Sequence, residues 1–195
     1  MISMKTISVL ISGVGGQGTI LAGKILAKCA MDAGFDVKAN ELHGMAQRGG
    51  SVTCHVRFGD KVFSPMIPTG EADFMLAMEE LEALRYISHL KKGAFIVMNK
   101  RNILPAGLET IPDAYPKEIQ KKIEALHFKI TALDAQKIAR ECGSIKIENI
   151  VLLGVLSKQL SISKTIWTTV IKTSVPAKTI DINLLAFEKG LQFKG

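Results

Sequence analysis

Ile7-Ser8-Val9-Leu10-Ile11-Ser12-Gly13-Val14-Gly15-Gly16-Gln17-Gly18 decides the fold. The short apolar run Ile7–Ile11 ends at glycines, the mark of a buried parallel strand. Thr19 to Ala33 then places apolar residues at Leu21, Ile25 and Cys29 and at Ala22, Leu26 and Ala30. That is helical spacing, and Gly34 stops it. Asp36-Val37-Lys38-Ala39-Asn40-Glu41 reads as a second short strand. The chain therefore opens β-loop-α-β, and a right-handed crossover predicts two adjacent parallel strands.

The remaining chain continues in the same style. Ser51 to Phe58 alternates apolar or β-branched residues with polar ones, which predicts a half-exposed strand. Gly59-Asp60 would turn it back, with Lys61-Val62-Phe63 pairing as a hairpin. Pro65, Pro68 and Gly70 make 64–71 a loop, and Ala72–Ala77 is a buried strand. A helix over 79–90 with acids in its first turn precedes a strand at Ala94–Asn99. Pro105, Pro112 and Pro116 make 101–117 irregular. A short helix from Lys117, a strand at His127–Ile130 and a helix over 134–142 follow. Three helical segments, 149–159, 163–172 and 182–189, close the chain. The expected fold class is α/β: residues 1–195 as a single three-layer, Rossmann-like domain with a mostly parallel sheet and a helical C-terminal segment.

Composition agrees. Of 195 residues, 47% are apolar and 22% charged, which excludes disorder, collagen and coiled coil. The longest uncharged apolar run, Ile150–Ser157, is far short of the roughly 20 residues of a membrane span. Met1–Lys5 lacks the features of a signal peptide, so a cytoplasmic location is expected. Cys29, Cys54 and Cys142 are widely spaced without a C-x-x-C pair, which argues against a disulfide framework, a zinc ribbon or a cluster-ligating set. His43, His55, His89 and His127 miss the spacing of a helical metal site, so no metal is expected. Of the net charge of +7, +6 lies from Asn99 onward, carried largely by separated lysines such as Lys117, Lys121, Lys122, Lys129 and Lys137. Arg101 and Arg140 are the only arginines there, and nucleic-acid binding would need denser clusters with aromatics.

Gly13, Gly15, Gly16, Gln17 and Gly18 match G-x-G-x-x-G between a strand and a helix. Such a loop lets backbone N–H groups approach an anion at a helix N-terminus. Glu41 stands where a dinucleotide fold carries its ribose-binding acid. Three uses compete for the loop: phosphate or nucleotide binding, a tight turn packing against a partner chain, and an NAD dehydrogenase site. The last is the weakest, because no catalytic acid/base set follows. A P-loop fails because Ile25 replaces the magnesium-binding Ser/Thr. The stretch Asn40–Ser51 lies at the same carboxyl edge of the sheet. There Arg48, beside Gly49 and Gly50, suits a carboxylate or phosphate, or pairs with Glu41, and Gln47 and Ser51 add neutral donors.

Gly13-x-Gly15-Gly16-Gln17-Gly18, Glu41-x-His43-Gly44-Met45-x-Gln47-Arg48-Gly49-Gly50 and Gly70-Glu71-Ala72-Asp73 together resemble the gamma-type subunit or domain of 2-oxoacid:ferredoxin oxidoreductases. The His43–Val52 wording is most similar to the indolepyruvate-acting branch, while relatives acting on pyruvate, 2-oxoglutarate or branched-chain acids are the alternative. The resemblance is strong over 7–100, weakens through the middle, and returns near Pro176, Asn183, Phe187 and Gly190. It implies a heteromeric enzyme converting an arylpyruvate, coenzyme A and oxidised ferredoxin into aryl-acetyl-CoA, carbon dioxide and reduced ferredoxin. Thiamine diphosphate, magnesium and iron–sulfur clusters are implied in a large alpha subunit, for this chain lacks their motifs. It would supply no catalytic residue, bind no cofactor with certainty, and either hold a phosphate of coenzyme A or dock the partner. A stand-alone dinucleotide-binding protein and a transient assembly factor are the rivals.

Overall fold

The computed structural model describes residues 5–43, 50–105, 111 and 114–194. Strand β1 (Ile7–Val14) is buried along nearly its whole length at the centre of a six-stranded sheet of order β2-β3-β1-β4-β5-β6. The other strands are β2 (Asp36–His43), β3 (Ser51–Gly59), β4 (Ala72–Ala77), β5 (Leu90–Asn99) and β6 (Lys129–Leu133). β1, β4, β5 and β6 run parallel, whereas β3 is antiparallel to both β1 and β2.

Two helical layers cover the sheet. Val9, Ile11, Val56, Phe58, Leu76 and Val97 face α1 (Thr19–Asp32), α4 (Ala135–Glu141), α5 (Glu148–Ser157), α6 (Lys164–Ser174) and α7 (Ile180–Gln192). Leu10, Met75, Ala77, Ile96 and Met98 face α2 (Glu80–Arg85) and α3 (Ile119–Glu124). The three-layer α/β expectation thus holds, with most of the helical mass on one side. α5 is buried all round, which is why its ten residues show no polar face. α1 ends at Gly34 with the paired bonds Phe35 N–H to Ala30 O and Gly34 N–H to Met31 O, which satisfy its last carbonyls. Among the described residues, no helix is long and apolar enough to cross a membrane.

The expected pairing of the first two strands is corrected. β3 inserts between β1 and β2, and β2 becomes the sheet edge. The residues explain the order. β2 carries Asp36, Lys38, Asn40 and Glu41, polar groups that suit an edge open to water. β3 instead is buried on both faces rather than half-exposed. Its apolar face, with Cys54 and Val56, packs on α1, so closely that a Cβ on Gly23 would lie 2.3 Å from Cys54 Sγ. Its polar face is covered by residues 60–71, which form no hairpin strand. They lie across β3 as a strap: Val62 N–H donates to Asp36 Oδ2 (2.8 Å), Ile67 N–H to His55 Nδ1 (3.1 Å), and Arg57 donates to the carbonyls of Ser64 and Met66. Polar alternation here means internal hydrogen bonding instead of solvent. The helix expected over 79–90 is also shorter. α2 stops at Arg85, a 3₁₀ turn spans Ile87–His89, and β5 starts at Leu90.

Candidate functional site

The glycine loop leaves the carboxyl end of β1 and is braced from four directions. Gln17 is buried, and both ends of its amide are used: Oε1 accepts Val14 N–H at 2.7 Å and Nε2 donates to Met78 O at 2.8 Å. Gly15 N–H donates to Gly50 O (3.0 Å), which joins the loop to the start of β3. Gly18 begins α1 with φ +77°, and its carbonyl accepts Asn149 Nδ2 at 3.2 Å. A Cβ there would sit 2.5 Å from that same nitrogen, so backbone conformation and close approach both require glycine. Gly13 is needed for space: a Cβ would lie 2.7 Å from Thr19 Oγ1 and 2.8 Å from Met78 Cβ.

These contacts assign roles within the motif. Gln17, a candidate binding residue, is a clamp whose amide is consumed internally. Gly16 borders open space. The N–H groups of Gly16, Gly18, Thr19 and Ile20 have no partner among the described residues, and neither does the buried Thr19 hydroxyl. With α1 behind them, those amides present positive potential at the carboxyl edge, which suits an anion.

Gly50 is brought to the loop; Glu41 is not. Glu41 lies on β2, two strands from β1, a separation of about 10 Å at ordinary strand spacing. It faces the α1 side, 3.7 Å from Lys24 Nζ. A dinucleotide fold needs its acid on the strand beside the glycine strand, so this sheet order does not suit that use. Gln47, Arg48 and Gly49 lie outside the described residues.

The structure adds residues that lie outside the glycine and arginine motifs. Asn99, at the end of β5, is fully buried. Its Nδ2 donates to Met78 O and to Glu148 Oε2, each at 3.3 Å, and its Oδ1 accepts Ala135 N–H at 3.0 Å. Glu148, the first residue of α5, bonds Arg101 with its other oxygen. Burial pushes the Glu148 carboxyl up, against the lowering influence of Arg101 and Asn99. On the other face, Ser51 bonds both Glu82 and Tyr86, and Glu82 holds Arg85 at 2.9 Å. Glu79 caps α2 through Glu82 N–H and accepts from Ile103 N–H and the Tyr115 hydroxyl, fastening the segment after β5. One signal was present in the sequence: Glu148-Asn149 stands directly before the apolar run Ile150–Leu153, where a helix N-terminus puts polar groups.

The open N–H groups of this edge suit an anion, and among the described residues no side-chain set for covalent or redox chemistry stands beside them. Among the described residues, no group of three or more His, Cys, Asp or Glu is placed to hold a metal. Cys29 and Cys54 are buried thiols pushed up to about 12, chiefly by burial, and Cys142 is buried as well. An iron–sulfur cluster takes thiolates converging on one point, and these three do not fit that requirement.

Comparison with known proteins agrees with the geometry. The family model for pyruvate ferredoxin/flavodoxin oxidoreductase matches residues 8–193. Indolepyruvate oxidoreductase subunit IorB of Thermococcus kodakarensis is 44% identical over 194 residues, covering 97% of this chain and 96% of that protein. Its counterpart of the same name in Pyrococcus horikoshii is 42% identical, with 97% and 96% covered. The solved 2-oxoglutarate:ferredoxin oxidoreductase of Magnetococcus marinus, with 2-oxoglutarate, coenzyme A and succinyl-CoA bound, has the same fold (TM-score 0.73, 22% identity). The match spans 96% of this chain and 30% of that longer one. A mostly parallel sheet, a braced glycine loop and full-length likeness thus converge: the chain belongs to the pyruvate ferredoxin/flavodoxin oxidoreductase family.

Proposed function

We propose that this chain is the small subunit of an indolepyruvate-type 2-oxoacid:ferredoxin oxidoreductase. The observation that carries the proposal is the 44% identity, across 97% of the chain, to a subunit of that name. The enzyme would decarboxylate an arylpyruvate, pass the acyl group to coenzyme A and deliver the electrons to ferredoxin. Thiamine diphosphate would stabilise the carbanion and iron–sulfur clusters would carry the electrons, both on a large partner subunit. That division is supported by the buried, dispersed cysteines and by the lack of a metal-ligating group among the described residues.

Within the complex, the carboxyl edge has two candidate duties: holding a phosphate of coenzyme A, or docking the large subunit. Unpartnered N–H groups beside the open space at Gly16 support the first, as does the coenzyme A bound by the Magnetococcus protein of the same fold. The test is to tag the chain, isolate it anaerobically from its source, and record the partner's mass and visible spectrum. A stoichiometric large partner with iron–sulfur absorption is the expected result. Recovery of the chain alone, with no such partner, would refute the proposal.

A further inference from the structure

Arg101 is held more firmly than a surface arginine needs. Its own N–H donates to Asn99 O (2.8 Å), its carbonyl accepts Glu80 N–H (3.1 Å), and its guanidinium bonds Glu148. The arginine side chain is 31% exposed while the glutamate's is 4% exposed. A buried ion pair is costly to desolvate, and apolar residues in place of both partners commonly stabilise as well or better. A pair of this kind is therefore weak evidence for stability and stronger evidence for aiming the cation. One donor of the guanidinium is used, and the rest of its fork has no partner among the described residues.

The aim is registered to the glycine loop by two routes. Gln17 and Asn99 share the Met78 carbonyl, and Asn99 also bonds Glu148. Independently, Asn149, the next residue, grips Gly18 O. The first residues of α5 thus fix the start of α1 and Arg101 with respect to one another. Arg101 follows β5 at the carboxyl edge that carries the open N–H groups, with β4 between β5 and β1.

We infer that Arg101 is an anion-binding side chain of the glycine-loop edge and that Glu148 positions it, the ligand being the phosphorylated nucleotide end of a coenzyme A-type carrier. The inference rests on the phosphate duty proposed above for that edge. Charge-assisted bonds from a planar fork to phosphate are strong and directional, which is what a fixed guanidinium offers.

The experiment is calorimetric titration of adenosine 3′,5′-bisphosphate into the intact two-subunit complex, with gel filtration and melting curves to verify assembly and folding. The informative variant is Arg101→Gln combined with Glu148→Gln, which removes the cation without leaving a buried unpaired carboxylate. It should weaken binding by about tenfold or more, the loss of a charge-assisted bond. Arg101→Lys should retain part of the affinity. Glu148→Gln alone, which keeps the cation but loosens it, should cost less than the double change. Gly16→Asp, which puts a negative charge at the open N–H groups, tests the underlying duty separately. If Gly16→Asp abolishes binding while the double variant binds like the parent, Arg101 is overturned and the phosphate duty stands. If the parent complex does not bind the bisphosphate, or Gly16→Asp has no effect, the phosphate duty fails and Arg101 with it. Loss of assembly with unchanged binding per assembled complex would make Arg101 a docking residue and overturn the inference.

Discussion

Replacing Gln17 with Glu tests the bracing of the glycine loop with a change of one heavy atom's identity. The amide accepts from Val14 N–H and donates to Met78 O, and the residue is 5% exposed. A carboxylate keeps the first bond but would set a negative oxygen against the Met78 carbonyl. A protonated carboxyl reproduces both bonds, donating O–H to Met78 O and accepting from Val14 N–H. The folded chain should therefore hold a proton that the unfolded chain loses near pH 4.3, the ordinary glutamate value. With the folded value raised, the unfolded state binds fewer protons as pH climbs, and the variant loses stability relative to its parent. The loss should be close to zero at about pH 4 and grow by about 1.4 kcal/mol per pH unit, to as much as about 3.5 kcal/mol at pH 7. Urea unfolding of parent and variant at several pH values measures the difference directly, and titrations common to both chains cancel. Gln17→Met is the control: it strands Val14 N–H, costs about 1–3 kcal/mol, and shows no pH dependence. A Gln17→Glu penalty that is flat with pH, or that shrinks as pH rises, would refute the two-bond clamp.

Other outcomes follow from the same structure. A Cβ on Gly190 would lie 2.0 Å from Val151 O, and one on Gly154 2.3 Å from Phe187 O, so α5 and α7 touch through backbone. Gly190→Ala should cost about 1–3 kcal/mol despite its better helix propensity, and an unchanged urea midpoint would contradict the contact. His55 is 3% exposed and its value is lowered to about 4, first by burial and then by His89, and its ring accepts Ile67 N–H through Nδ1. The unfolded chain takes up that proton near pH 6.5, so stability should fall as pH drops from there toward 4, by about 3 kcal/mol in all. His55→Asn, which retains an acceptor without titrating, should flatten that part of the pH profile. Cys29 and Cys54, buried and raised to about 12, should resist a thiol reagent in the native chain at neutral pH and react once it is unfolded; fast native labelling would contradict their burial.

The opening unit was legible because its cues are local: an apolar run, a glycine loop and a 3.6-residue period lie within 28 residues, Ile7 to Gly34. Strand order was not, because it depends on which strand can be buried on both faces. Thr53, His55 and Arg57 looked like a solvated face, and only the strap at 60–71 shows how the polar groups of His55 and Arg57 are satisfied. The site divides in the same way. Gly13 to Gly18 announce themselves by spacing, and Gly50 by its glycine-rich neighbourhood. Asn149, by contrast, meets Gly18 across 131 residues of chain, and Glu148 meets Arg101 across 47. No periodicity encodes such meetings. Glu41 shows the converse: it has the spacing of a ribose acid, and the inserted β3 places it two strands from β1.

The decisive measurement is reconstitution of this chain with its large partner and assay of dye reduction with coenzyme A, offering indolepyruvate, pyruvate and 2-oxoglutarate in turn. The account predicts a reaction that needs both subunits and coenzyme A and that prefers indolepyruvate. Full activity of the large partner alone, or a preference for pyruvate or 2-oxoglutarate, would contradict it.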